Sequence, residues 1–350
     1  MKSIMQQLQF VVTRTVQDVH RISSPKRRLV LRAIQGAAMA AGLVLAPWAQ
    51  AAYPDKPIQI IISFPPAGAT DALARAVGQR LAMDLGQSVV VENRPGAGGA
   101  IGLVAAARAA PTGYTLYLAA TTNQAIAASI YKDQAASLVD DFVPIGQVGF
   151  APHALVVPAS SPVKNVAELL EYIRAAPSTY NFASQGVGTL SHLESELFVA
   201  RNGLKMTHIP YKGSVQALPD VVNGAAVMMF DSVTGSLPLV QAGKLKYLAV
   251  ASNVRVSLLP DVPTLAEAGV NNVVADNLFG LFAPKGTPQE AITVLSSALE
   301  RVLNQPDLRK AVASQGAELR YASAADLGKT VVDEHQYWAG VVQQAGIPQQ

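Results

Sequence analysis

Cysteine is absent from the 350-residue chain. That removes disulfide frameworks, thiolate metal sites and cysteine nucleophiles from consideration. Aromatic residues are scarce at 6% and charged residues few at 15%, while 50% of the chain is hydrophobic. A chain so apolar and so weakly charged is not a disordered one, and its length suffices for one or two buried cores. A basic surface is missing as well. Residues 1–51 carry seven of the 27 Lys/Arg and one of the 24 Asp/Glu, so the formal +3 of the whole becomes −3 over residues 52–350, where 20 bases face 23 acids. No nucleic-acid partner is expected of such a body.

Catalytic signatures are missing too. No serine has glycine at both −2 and +2, and neither a Walker loop nor an HExxH pair occurs. Gly96-Ala97-Gly98-Gly99-Ala100-Ile101 puts Ile, and Gly186-Val187-Gly188-Thr189-Leu190-Ser191 puts Ser, where a dinucleotide fingerprint has its third glycine. Past residue 52 the histidines are His153, His192, His208 and His335. His192 sits on a helix pattern with no identifiable acid partner and reads as a structural hydrogen-bonder, not a general base. The expectation is a protein that is not an enzyme and that uses no metal and no cofactor. The alternative enzyme reading is an exported hydrolase or lyase using His192 with Ser184 or Ser191.

A spanning-length apolar run is the last absence. The apolar stretch Ala33–Ala46 is 14 residues long, short for a membrane helix. It follows Lys26-Arg27-Arg28-Leu29-Val30-Leu31-Arg32 and precedes Ala49-Gln50-Ala51. Basic, apolar and small-x-small regions in that order read as an export signal over 1–51 with cleavage near Ala51. The Arg27-Arg28 pair is compatible with the twin-arginine route. The body is therefore expected in the periplasm.

What the sequence does hold is alternation. Ile58–Phe64, Ser88–Glu92, Tyr114–Ala119, Ala154–Val157, Tyr180–Ala183, Met206–Pro210, Ala226–Phe230, Leu245–Ala251, Leu278–Ala283 and Leu319–Tyr321 read as strands. Helix patterns separate most of them: Thr70–Leu85, Ile101–Ala109, Val166–Arg174, Leu190–Arg201, Val215–Val222, Leu237–Ala242, Pro288–Leu303 and Ala324–Gln344. Such alternation predicts an α/β protein with mainly parallel sheets. About 300 residues favour two lobes. The crossings are expected at Pro144–Pro152, punctuated by Gly146, Gly149 and Pro152, and at Gly269–Asn277. Lobe 1 is then discontinuous, 52–150 plus 275–350, and lobe 2 is 151–274. A ligand belongs in the cleft between them, at the carboxyl ends of strands.

Three strand-to-helix junctions there are rich in glycine and hydroxyls and hold no Lys or Arg: Pro65–Thr70, Thr121–Gln124 and Ser184–Thr189. Glycine lets backbone approach a ligand, and helix-start N–H groups attract an anion. Each junction read alone is also an ordinary βα turn. Asp231 closes the apolar strand pattern Val227–Phe230, either as a ligand-facing carboxylate or as a helix cap.

The ordered segments FPPAGATDALAR (64–75), VENRPGAGGAIG (91–102), PTGYTL (111–116), DFVPIG (141–146), NFASQGVGTLSHLESELF (181–198), HIPYKGSVQALPDVVNG (208–224), QAGKLKYLAVAS (241–252), LPDVPTLAEAG (259–269) and FGLFAPKGTP (279–288) resemble the extracytoplasmic solute receptors of the tripartite tricarboxylate transporters, the Bug receptors. The resemblance covers nearly all of the chain after the signal. It implies a type II periplasmic binding protein fold, with two Rossmann-like α/β lobes closing on a small organic acid. It also implies delivery to the membrane subunits of a tripartite transporter, by a monomer. Presentation of the liganded form to a sensor kinase is the alternative. Carried over by position, Phe64, Pro66, Ala67, Gly68, Ala69 and Thr70 form one clamp, and Ser184, Gly188, Thr189 and His192 the other. Thr122 and Asn123 line the side and Asp231 the second-lobe wall. Ala67 stands where the family has a second glycine, and Leu278 where it has an aromatic.

Overall fold

Ile58-Gln59-Ile60-Ile61-Ile62 is β-branched at four of its five positions, which suits a pleated strand better than a helix. It forms β1 (Ile58–Ile62), flanked on both edges by parallel neighbours. The computed structural model describes residues 53–131, 133–271, 273 and 276–347. The export signal with its cleavage point lies outside the described residues, as do positions 274 and 275, where the expected lobe boundary falls.

From β1 the chain runs through α1 (Ala69–Leu85), β2 (Val89–Asn93), a 3₁₀ turn (Ala97–Gly99), α2 (Ala100–Ala107), β3 (Thr115–Ala120) and α3 (Thr121–Ile130). Next come the long strand β4 (Phe142–Pro158), α4 (Val166–Ala175), β5 (Asn181–Ser184), α5 (Leu190–Arg201), β6 (Thr207–Pro210) and α6 (Ser214–Val222). Then follow β7 (Met228–Ser232), α7 (Val233–Gln241) and β8 (Leu245–Val250). The remainder is β9 (Asp276–Pro284), α8 (Gln289–Leu303), α9 (Pro306–Ala313), β10 (Glu318–Ala322) and α10 (Ala324–Gln344). None of the described helices is long and apolar enough to cross a membrane.

The strands pair in the order β2-β1-β3-β9-β4-β7-β5-β6, with β8 and β10 also on β4. Pairing is mixed, which corrects the expectation of mainly parallel sheets. It is parallel among β1, β2 and β3 and among β5, β6 and β7, where helical crossovers join the strands. It is antiparallel wherever β4 or β9 takes part. The reason is that β4 carries the chain out of the first group of strands and β9 carries it back, and a returning strand can lie beside an outgoing one only antiparallel.

The expected crossing at 144–152 lies within β4. Residues 142–152 pair with β9, and residues from His153 onward pair with β7 and β8. Gly146 and Gly149 mark register shifts against β9. A Cβ at Gly149 would lie 2.1 Å from the Glu318 carbonyl oxygen, so β10 can approach only a glycine there. Two further corrections concern helix starts. α1 begins at Ala69 rather than Thr70, capped by Gly68 with no side-chain bond, and Thr121–Gln124 is the first turn of α3 rather than a loop before a helix.

Apolar spacing places the cores. In α8, Ala291, Ile292, Leu295, Ala298, Leu299, Val302 and Leu303 all face inward, against Ile58, Ile60, Leu116, Leu118 and Leu281 of the first strand group. A second core gathers Leu155, Val157, Phe182, Phe198 and Phe230 with Ile126 and Ile130 of α3. The last helix joins both regions: Leu327 and Val331 pack with Ile61, Tyr117 and Phe282, whereas Trp338 and Val342 belong to the second core.

Candidate functional site

β1 ends at Ile62, and Ser63–Gly68 must turn the chain into α1. Two prolines limit this turn, and Ala67 takes a left-handed φ of 65°. The turn is braced from behind. Asp71 accepts from the Ala67 N–H at 3.0 Å, from Arg75 Nε at 3.0 Å and from Asn93 Nδ2 at 2.9 Å. Asn93 Nδ2 also donates to the Phe64 carbonyl at 3.0 Å. Burial would push the Asp71 carboxyl up, but the bonds from Arg75, Ala67 and Asn93 hold it below its ordinary range.

In front of this turn lies a narrow cavity of about 20 Å³. One wall is Phe64, Pro65, Pro66, Gly68, Ala69 and Thr70; the other comprises Gln185, Gly213, Ser214, Val215 and Ser232, with Asn123 and Asn277 between. Three helices of at least eight residues begin on it: α1 capped by Gly68, α6 by Gly213 and α7 by Ser232. First-turn N–H groups have no intrahelical acceptor and carry the positive end of the helix dipole. No Lys, Arg or His lines the cavity. The two walls nearly touch beside it, since a Cβ at Gly213 would lie 3.1 Å from Pro65 Cδ. A neighbouring cavity of about 180 Å³ shares Phe64 and Gln185 and brings in Tyr131, the Gly96–Gly99 turn and one cation, Lys212.

Of the positions singled out in the sequence, Phe64, Pro66, Gly68, Ala69, Thr70 and Asn123 reach the cavity wall. Asn123 is held there by donating to Asn277 at 3.3 Å and accepting from the Leu190 N–H at 2.7 Å. The others stand behind it. Ala67 contributes the N–H that Asp71 captures. Thr122 turns the other way: its hydroxyl donates to Glu334 and accepts from the Leu278 N–H. Burial pushes the Glu334 carboxyl up. Thr189 caps α5, accepting from the His192 N–H and donating to the Gly186 carbonyl. Gly188 takes φ 77° and passes so close to Tyr131 that a Cβ would lie 2.9 Å from the ring.

Asp231 is not a cap; Ser232 fills that role by accepting from Gly235 N–H. Instead Asp231 is fully buried one layer behind the wall. Its Oδ1 accepts from Ser214 Oγ at 2.6 Å and Gln185 Nε2 at 2.7 Å, while Oδ2 has no partner. Burial raises its pKa above the ordinary carboxylate range despite those two bonds. Its work is to aim two wall residues.

Ser184 pairs with His208 Nε2 at 2.7 Å rather than with His192, and Ser191 donates to the Phe230 carbonyl. The hydrolase arrangement built on His192 is therefore not assembled. The Ser184 oxygen is not on the cavity wall, and burial together with His192 pushes the His208 ring down to about 4. Gly213, Ser214, Ser232 and Asn277 were missed by the sequence reading, and Gln185 was read only as part of the Ser184–Thr189 junction. Asp231-Ser232 follows a strand pattern directly and Gly213-Ser214 comes three residues past another, the one signal that could have found them; a lone Asn277 carries none.

Comparison with known proteins places this geometry. Residues 73–347 match the family model of the tripartite tricarboxylate transporter family receptor. Protein BugT of Bordetella pertussis is 36% identical over 317 residues, 90% of this chain and 97% of the relative. Among solved structures, Rpa4515 of R. palustris with adipate shares 32% identity at a TM-score of 0.82, covering 85% of this chain and 100% of the other. MatC of Rhodopseudomonas palustris with bound malate shares 30% identity at a TM-score of 0.78, covering 83% of this chain and 100% of the other. These are solute-binding receptors, not enzymes, of the periplasmic binding type. The chain belongs to the tripartite tricarboxylate transporter receptor family.

Proposed function

We propose that this receptor captures a short linear dicarboxylate in the periplasm and hands it to the membrane subunits of a tripartite transporter. The observation that carries the reading is the meeting of three helix N-termini on one cavity that has no cation of its own. A carboxylate there is held by N–H groups, by Ser214 and Ser232 hydroxyls and by the Asn123, Gln185 and Asn277 amides. The second acid end would extend past Phe64 and Gln185 toward Lys212 and Tyr131. Two relatives were solved with adipate and with malate, both dicarboxylates, which agrees in chemistry.

The jaws of this proposal are the expected lobes, 52–150 with 275–350 and 151–274. Support comes from β4, whose pairing partners change between Pro152 and His153, and from the two separate cores. Export through the twin-arginine route is part of the same proposal, on the Arg27-Arg28 pair alone.

A thermal-shift series of adipate, malate, their monoacid counterparts and citrate tests it. A ligand at 100 times its Kd adds about 2.7 kcal/mol of stability. Dicarboxylates are expected to raise the melting temperature by several degrees and monoacids by less. If no acid in the series moved it, the reading would be wrong.

A further inference from the structure

Behind the Ser184–Thr189 loop lies a group of side chains that does not reach the cavity wall, His192 of the expected clamp among them. His192 and Glu196 are four residues apart on α5 and so share one face of the helix. The ring of His208, from β6, stacks on that of His192 with centroids 4.3 Å apart. One donor atom from each of the three lies within 4.8 Å of the others. The group is poorly satisfied by the protein itself. His192 is 5% exposed; its Nδ1 is buried without a partner, and its Nε2 has only Glu196 Oε1 at 3.6 Å, longer than a hydrogen bond. A buried imidazole with neither nitrogen bonded is a costly arrangement unless something else fills the gap.

We propose that His192, Glu196 and His208 hold a divalent transition metal of the zinc class, with a fourth position left for water. Two imidazoles and one carboxylate are a donor set that zinc accepts, at 2.0–2.2 Å. Donors of a tetrahedral site with such bonds stand about 3.3 Å apart, so the group closes slightly, and one ring turns out of the stack to aim its lone pair at the ion. The supporting shell is already present. His208 Nε2 is engaged with Ser184 Oγ at 2.7 Å, which leaves Nδ1 as its ligand atom and makes Nε2–H the donor to serine. Ser184 Oγ accepts from the Gly186 N–H at 3.1 Å as well. With both acceptor positions taken, the serine proton is free to point away from the histidine. An ion here would stiffen the loop that carries Gln185 to the cavity wall. That consequence, unlike metal binding itself, rests on the receptor reading.

The test is a Co²⁺ titration of the chelator-stripped full-length protein. A tetrahedral or five-coordinate Co²⁺ absorbs in the visible, whereas the free hexaaqua ion barely does. The expected result is a band that saturates at one equivalent and is bleached by Zn²⁺. Glu196→Gln and His208→Gln should each weaken Co²⁺ at least tenfold. Glu196 is partly exposed, so its variant is expected to fold even if substitutions at buried His192 do not. His20→Gln and His335→Gln, remote in sequence or on the exposed face of α10, should change nothing. A band that never saturates, or one unchanged in Glu196→Gln and His208→Gln, overturns the proposal. Because the band is read without any acid present, failure of the dicarboxylate reading would leave this result untouched.

Discussion

Ala67 holds a left-handed backbone, φ 65°, at the point where the family resemblance implies a glycine. For a residue with a Cβ this conformation costs roughly 1–2 kcal/mol, while glycine would lose about 0.5–1 kcal/mol more chain entropy on folding. Ala67→Gly is therefore expected to stabilise by up to about 1 kcal/mol, read as a higher urea midpoint at unchanged slope; a lower midpoint would contradict it. Asp231 gives a pH prediction. Its folded pKa is raised by burial from 3.8, so between that value and the folded one the native state binds more protons than the unfolded chain. Stability must then fall as pH rises through the window. Asp231→Asn keeps an acceptor for Ser214 and Gln185 and removes the titration, so the variant's stability should decline less between pH 4 and pH 7. Equal slopes for the two proteins would dismiss the argument. At this scale the sequence was legible where a residue's role is local. Phe64, Gly68 and Thr70 announce themselves beside a strand end, whereas Thr122 was misread because its partners, Glu334 and Leu278, are 212 and 156 positions away.

Elements with local stop and start chemistry were read to the residue. α5 begins after the Thr189 cap and α10 after Ser323, which accepts from the Asp326 N–H. β4 could not be read that way. Its Gly146, Gly149 and Pro152 look like loop punctuation in one dimension, yet they answer to the approach of β10 and to register shifts against β9, both set by distant chain. One buried pair fastens β4 to α5 just past the point where its partners change. His153 Nδ1 lies 2.7 Å from Glu194 Oε2, with side-chain exposures of 0% and 2%. Burial alone would lower the His153 pKa, but Glu194 beside it wins and raises it. His153→Leu removes the partner of a buried carboxylate, a change that costs about 3–5 kcal/mol when the remaining charge cannot be hydrated. The double variant His153→Leu/Glu194→Leu should recover most of that loss, because two packed apolar side chains replace two desolvated charges. Urea denaturation of the three variants closes the cycle, and additive losses would show that the pair does not act as a unit.

For the whole molecule the question is what separates a liganded, shut receptor from an empty one, since a ligand shifts such a balance only by its differential affinity for the two forms. Contacts between the two proposed lobes, 52–150 with 275–350 and 151–274, are the ones that count. Tyr131, at the end of α3, donates to the Val187 carbonyl at 3.1 Å, and its ring fills the space left by Gly98 and Gly188 on either side. Tyr131→Phe keeps the ring and deletes this one bond between the Gly98 side and the Val187 side. A hydrogen bond of this kind contributes about 0.5–1.5 kcal/mol net, so dicarboxylate affinity by calorimetry should fall roughly 2- to 10-fold. The stability of the ligand-free protein should change less than that, if the bond forms only on closure. Small-angle scattering separates the two cases: the wild type should contract on adding ligand, and the variant should need more ligand to contract equally. An affinity loss with no change in the contraction curve would place Tyr131 on the ligand instead of on the closing contact.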